Sequence, residues 1–398
     1  MPRKSIQDMK LFVVSADPRL SMGYSKIINK IANHLASKDE LEIVMFTVNY
    51  RESMCIKNNY VDPRIKLIPH SPPNDFGCAE AGEHIKHEKP DFVMIYACGN
   101  VINNYLEFID KSQKVILYLD ICQKWADTLI FQNIKSRIFH WFTFLNCWRD
   151  HMVNDQKIDP DRVSVIEHGI NFEEFDESPD KYPGFENFTV INMNRNSLRK
   201  EWHITLTAFI EFISRHDYDP GLKLFISCGV NDQDQYVDIE KHVYTEFMKR
   251  GLNYMNYTKN FIINNKPLGL TKEELNSIYF TADVGLNTCT SEGFGLTSVE
   301  HAYFNKPQIL TDIPTFRDTL GDNATYVKPR VIEMYTGGNT LNGERAISDP
   351  MDVADAIDKC YKERPVFNTR DYVLKRFSWK NVYKQIDRMV DILKNGSI

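Results

Sequence analysis

No run of about 18 apolar residues occurs anywhere in the 398-residue chain, so it offers no membrane-spanning helix. Paired cysteine spacing is also missing: the eight cysteines stand singly, at 55, 78, 98, 122, 147, 228, 289 and 360. Several lie in apolar runs, as Cys228 does after Leu224-Phe225-Ile226-Ser227, which points to reduced, mostly buried thiols in a cytosolic protein. An excess of positive charge is lacking, with 48 Lys and Arg against 54 Asp and Glu and a net charge of −6. That balance argues against nucleic-acid binding driven by phosphate neutralisation. Gly-x-Gly-x-x-Gly is absent, which disfavours a dinucleotide-binding enzyme. Residues 1–8 lack the apolar core of a signal peptide, so the expected location is cytoplasmic.

What is present is an alternation of short apolar runs with helical patterns. Runs at 11–14, 42–48, 65–68, 92–96, 115–119, 142–145 and 163–166 read as parallel strands of βαβ units, with a helix over 24–36. A polar stretch over 171–187, with Pro179, Pro183 and Gly184, reads as an interdomain connection. The alternation then restarts at 188–193 and continues with strands at 222–228, 261–263, 284–286 and 308–310 and helices over 202–215 and 272–280. An amphipathic helix over 379–394 ends the chain. The expected class is α/β, two doubly wound Rossmann-like domains facing across a cleft. Their expected bounds are 1–172, joined by 379–398, then a linker over 173–187 and a second domain over 188–378.

The segment Ser291-Glu292-Gly293-Phe294-Gly295-Leu296-Thr297-Ser298-Val299-Glu300 follows one of these strands and leads into a helical run over 296–304. A glycine turn opening a helix presents unpaired N–H groups and the positive end of the helix dipole, which suits a phosphate. Glu300 is expected about two turns into that helix, where its carboxylate would accept hydrogen bonds from a pair of hydroxyls. Phosphate donors flanked by hydroxyl-binding carboxylates fit a nucleotide sugar. Upstream, Asn192-Met193-Asn194-Arg195-Asn196-Ser197-Leu198-Arg199-Lys200 places three cations just after a strand, and Arg195 and Lys200 could straddle a diphosphate.

Strand, Glu-Gly-Phe-Gly, helix and Glu in that order resemble the Glu-x₇-Glu signature of the retaining glycosyltransferases of family 4, which have the GT-B fold. The Arg195 and Lys200 spacing is similar to that family's, although the residue after its lysine is usually glycine and here is Glu201. The wording around Arg195 looks like glycosyltransferases of large algal DNA viruses, which would place the protein in the host cytoplasm. Glu167-His168-Gly169-Ile170-Asn171 resembles the family's turn before the linker, with His168 in place of the usual asparagine, and reads either as a turn with glycine in a left-handed position or as a ligand contact. Phe377-Ser378-Trp379 resembles the opening of its last helix, which returns to the first domain, with Ser378 as N-cap. Asp17-Pro18-Arg19-Leu20-Ser21-Met22-Gly23 resembles its glycine loop, reduced here to Gly23. After the strand ending in Asp120 many members have a histidine; Asp120 would accept a sugar hydroxyl, orient the acceptor or cap the next helix.

The resemblance implies transfer of a sugar from a UDP-, GDP- or similar sugar to a glycan, lipid or glycoprotein hydroxyl, with retention and without a cofactor. It implies catalytic roles for Arg195, Lys200, Glu292 and Asp120, and donor binding by Gly23, Phe294, Gly295, Leu296, Thr297 and Glu300. A sugar-nucleotide epimerase, a phosphorylase or a binding protein that has lost transfer stand as alternatives. Asp159-Pro160-Asp161 and Asp232-Gln233-Asp234 read as polar loops rather than metal sites, and a metal-independent enzyme is expected. The segment 130–141, apolar with interleaved bases, reads as a core helix with a solvated face in preference to a peripheral membrane contact.

Overall fold

The apolar runs at 11–14, 92–96 and 115–119 are buried throughout, as strands covered on both faces of a parallel sheet must be. The computed structural model of the chain describes residues 9–20, 23–38, 41–48, 60–70, 76–126, 128–228, 236–264, 270–336 and 342–396. Ser21, Met22 and the Asp232-Gln233-Asp234 motif lie outside these described residues. The chain divides into one unit of Met1–Gly169 with Trp379–Ile398 and a second of Ile170–Ser378.

In the first unit the strands are β1 (Met9–Ala16), β2 (Leu41–Val48), β3 (Lys66–Pro69), β4 (Phe92–Cys98), β5 (Lys114–Asp120), β6 (Ile138–Thr143) and β7 (Val163–Val165). They pair in the order β3-β2-β1-β4-β5-β6-β7, all parallel. The last helix of the chain, Trp379–Asn395, belongs to this unit. Its Trp379, Val382, Ile386, Met389, Val390 and Leu393 are buried, the apolar stripe that a 3.6-residue period makes on one face. It lies against the helix Gly23–Ala36, where the His34 ring stacks on Tyr383 with centroids 4.1 Å apart and His34 Nε2 lies 2.8 Å from Asp387 Oδ1.

The second unit has β8 (Phe188–Asn192), β9 (Leu222–Ser227), β10 (Phe261–Asn264), β11 (Val284–Asn287), β12 (Gln308–Thr311) and β13 (Thr325–Val327). Their order is β10-β9-β8-β11-β12-β13, again all parallel. An antiparallel ribbon, β14 (Val331–Tyr335) and β15 (Gly343–Ile347), follows. One face of the sheet is covered by the helix Trp202–Ser214, whose Trp202, Phe209 and Phe212 are fully buried with Val353 and Ile357 of the helix Pro350–Glu363. Each such side chain contributes roughly 1.5–3 kcal/mol by burial. The class read from the alternation, two parallel Rossmann-like sheets with helices, is what the chain forms.

Two local expectations are corrected. The 130–141 segment is not one helix: a helix Thr128–Ile134 ends, the chain turns, and β6 begins at Ile138. The break is set by Arg137, whose guanidinium donates to the carbonyls of Leu106 (2.5 Å) and Ile109 (2.9 Å) near the end of the helix Gly99–Phe108. Its charge thus meets the negative end of a helix dipole. Gly169 is not in a left-handed conformation. Glycine is needed there because a Cβ would stand 2.3 Å from Trp379 Cδ2. Among the described cysteines, Cys228, Cys289 and Cys360 are buried and Cys78, Cys122 and Cys147 partly buried, with none exposed. Among the described residues no helix is long and apolar enough to cross a membrane.

Gly169→Ala should destabilise the first unit by about 1–3 kcal/mol, the usual cost of overpacking. Gly23→Ala, whose Cβ would meet nothing within 4 Å, should leave stability within about 0.5 kcal/mol. Denaturant unfolding of both variants checks the pair.

Candidate functional site

From β8 the chain steps outward to β9 and β10, then crosses back to β11 and steps outward to β12 and β13. β8 and β11 are therefore the neighbours at which the winding reverses, and their C-terminal ends frame the crevice where open α/β sheets take ligands. The loop after β8 carries Asn194, Arg195, Arg199 and Lys200; the loop after β11 carries Thr288 through Gly295, with Glu292.

The two loops are joined by a buried polar chain. Thr205 and Thr288 share a hydroxyl hydrogen bond of 2.7 Å, Asn192 Nδ2 donates to Thr205 Oγ1 at 2.9 Å, and Asn194 Nδ2 donates to Asn192 Oδ1 at 2.6 Å. Lys200 Nζ donates to Asn194 Oδ1 at 2.6 Å and also binds Glu292 Oε2. Arg199 Nη1 lies 3.1 Å from Glu292 Oε1 and donates to the Ser291 carbonyl at 2.9 Å. Lys200 and Glu292 are 6% and 7% exposed, so this is an ion cluster withdrawn from water. Burial alone would push the Glu292 carboxyl up, but Arg199 and Lys200 outweigh it and hold the group down at about 2. Burial pulls Lys200 the other way, downward, with Glu292 opposing. With carboxylate and amide oxygens both accepting from Nζ, the ammonium is the form the site is built for.

Of the three cations on the β8 loop, two join Glu292. Lys200 is there, but its companion is Arg199, which residue type and adjacency to Lys200 could have nominated. Arg195 is exposed, and among the described residues its guanidinium makes no ion pair. Glu292 Oε1 also accepts from the Gly293 amide at 3.1 Å. Of roughly four acceptor positions on a carboxylate, the described residues use three, leaving one at Oε2.

The residue after Lys200 has φ 49 and ψ 49, a left-handed conformation that glycine adopts without strain. Glu201 is held there by its buried carboxylate, which binds Arg345 of β15 and lies 3.1 Å from His203 Nε2. The Ala346 amide donates to the Thr290 carbonyl at 3.0 Å, so the β14–β15 ribbon is fastened to the same loops.

Gly295 has φ +82, and a Cβ there would stand 2.7 Å from Phe316 Cε1; both facts demand glycine. The helix it opens, Leu296–Ala302, is short, and Glu300 lies one turn in rather than two. Phe294 is buried edge-on against Phe377 at 5.1 Å between centroids, while Leu296 and Thr297 are half-buried. Glu300 Oε2 accepts from the Tyr279 hydroxyl at 2.9 Å, a partner 21 residues away that no local pattern announces. The structure thus groups Lys200, Glu292, Gly295, Leu296, Thr297 and Glu300 around the ends of β8 and β11.

Gly23 and Asp120 belong to the first unit. Asp120 ends β5, and its Oδ2 accepts from the hydroxyl of Tyr24, the residue after Gly23. The next helix begins only at Thr128, so Asp120 does not cap it. Asp159 does cap: it accepts from the Asp161 amide at 3.0 Å and opens the turn Pro160–Arg162.

The depressed Glu292 pKa fixes the sign of a pH effect. Its stabilisation is complete above the ordinary value of 4.5 and is lost as pH falls towards about 2. Glu292→Gln strips the neutralising charge from two cations and should cost about 3–5 kcal/mol at neutral pH. Melting curves of both proteins should converge between pH ~4.5 and ~2; a gap that stays constant would assign the loss to packing instead.

No protein-family model matches the chain. A stretch of 207 residues is 24% identical to the O-antigen chain mannosyltransferase RfbU of Salmonella typhimurium, 50% of either protein, so the chain spans about half the length of that relative. Among solved structures it is similar to the sucrose-phosphate synthase of Thermosynechococcus elongatus, with a TM-score of 0.70 at 14% identity over 96% of this chain and 98% of the other. A glycosyltransferase of Rickettsia africae gives 0.67 at 16% identity, over 97% and 99%. The pneumococcal O-GlcNAc transferase GtfA, solved with UDP and GlcNAc, gives 0.64 at 11% identity, over 97% and 99%. With its two parallel Rossmann-like domains, the chain has the GT-B fold of these glycosyltransferases.

Proposed function

We propose that the chain is a retaining glycosyltransferase of family 4, moving a sugar from a nucleoside-diphosphate sugar to an acceptor hydroxyl. The observation that carries this reading is the buried Arg199–Lys200–Glu292 cluster at the β8–β11 reversal, set beside the glycine-opened helix that bears Glu300. Lys200 offers a fixed positive charge to the diphosphate, and exposed Arg195 on the same loop can close on it from solvent. The first amides of the helix at Leu296 and Thr297 add main-chain donors. Glu300 takes the ribose diol, and the remaining acceptor position of Glu292 takes a donor-sugar hydroxyl.

In the reaction the bond between the anomeric carbon and the diphosphate oxygen breaks, and the electron pair leaves with the nucleoside diphosphate. The acceptor oxygen bonds to the same face of that carbon, and its proton passes to the departing phosphate. No general base is required of the protein, whose work is positioning and stabilising the leaving charge. The cations Lys200 and Arg195 supply the electrostatics that a divalent metal supplies elsewhere. Gly23, around which the protein leaves open space, is assigned to the donor, and Asp120 to a sugar hydroxyl or the acceptor.

Thermal-shift screening with UDP-, GDP- and ADP-sugars tests the reading, since a bound donor raises the melting temperature by mass action. Glu300→Ala should weaken nucleotide binding by about 1–3 kcal/mol, measured by titration calorimetry. Unchanged affinity would remove Glu300 from the site. Turnover of the matching donor should survive EDTA; a strict loss restored by Mn²⁺ would overturn the assignment of the leaving-group charge to Lys200 and Arg195.

A further inference from the structure

We propose that Tyr279 is a positioning residue for the nucleotide: its hydroxyl donates to Glu300 Oε2 at 2.9 Å and aims that carboxylate at the ribose diol. The inference rests on the reading of Glu300 given above and adds a residue to it.

Tyr279 lies on the helix Lys272–Thr281, whose start is fixed by a capping box between Thr271 and Glu274. Its ring is 1% exposed, so the hydroxyl is presented from inside the protein. The ring stacks on His301, with centroids 5.5 Å apart and planes at 25°, and meets Phe175 edge-on at 6.3 Å. His301 is itself held, because the Gln308 amide lies 2.9 Å from its Nδ1. That contact needs a glycine opposite: a Cβ on Gly285 would stand 2.2 Å from Gln308 Oε1 and 2.7 Å from His301 Nδ1. The position of the hydroxyl oxygen is therefore set by residues of β11, β12 and two helices.

The chemistry suits a permanent donor. Burial pushes the Tyr279 phenol well above its usual value, and the Glu300 carboxylate pushes it further, so the proton stays on oxygen at neutral pH. Burial likewise lowers His301 to about 3, aided by Lys306, so a neutral ring lies against the tyrosine. A carboxylate held by a buried donor keeps one orientation, and a ribose diol can then be met without ordering a flexible side chain.

Tyr279→Phe keeps the ring and its stacking and removes only the hydroxyl. The experiment measures binding of UDP, GDP and ADP and their 2′-deoxy counterparts to wild type, Tyr279→Phe and Glu300→Ala by titration calorimetry. Wild type should prefer the ribonucleotide of its own base. Tyr279→Phe should lose roughly tenfold in affinity for it, with a smaller loss for the deoxy form, so that the ribose preference shrinks. The ratio of the two affinities within one preparation does not depend on the fraction folded, which guards against a variant that is merely less stable. A wild-type ribose preference in Tyr279→Phe, alongside its loss in Glu300→Ala, would overturn this inference and leave the donor site standing. If Glu300→Ala keeps the preference, or wild type binds none of the nucleotides, the donor-site reading falls and this inference with it.

Discussion

The buried ion cluster of Glu292, Lys200 and Arg199 is the constraint on which the crevice depends. Taking each charge out of water costs several kcal/mol, and attraction offsets that only when geometry is good and remaining polar atoms are satisfied. Here they are satisfied from both sides: Asn194 accepts from Lys200, and Gly293 and Arg199 donate to the carboxylate. Two loops that arise from different strands must therefore keep a fixed separation. Any slippage between them would leave a buried charge without its partner.

Other oddities of the second unit follow from that requirement. Lys200 is followed by a left-handed residue, and Glu201 occupies it at the cost of backbone strain. The strain is offset by a buried pairing with Arg345, which fastens the β14–β15 ribbon beside the site. Gly295 answers a similar demand, since the chain must reverse against Phe316 before the short helix can start. Such positions are over-determined by their surroundings, which is how a binding crevice is kept in shape before a ligand arrives.

Strands with continuous apolar runs were legible because a strand covered on both faces has no polar alternation to confuse it, as at 92–96 and 115–119. The 130–141 segment misled because its apolar residues suit either period, and the deciding partner, the end of the helix Gly99–Phe108, lies some 30 residues away in sequence. Gly169 was legible as a required glycine but for the wrong reason. A turn was inferred locally, whereas the requirement comes from Trp379, more than two hundred residues on. The glycine-opened helix and its Glu300 were visible in the order of residues; the partners of Glu292 and Glu300 were not.

The sequence by itself determined the periodic pattern of strands and helices, the doubly wound class, and a short stretch rich in phosphate- and hydroxyl-binding chemistry. These depend on neighbours within a turn or two of chain. Only the tertiary structure decided that Arg199 rather than Arg195 shares Glu292 with Lys200, and that Tyr279 holds Glu300. The reason is physical: a buried charge takes whichever partner the packing brings within about 3 Å, and packing joins strands that the sequence lists far apart.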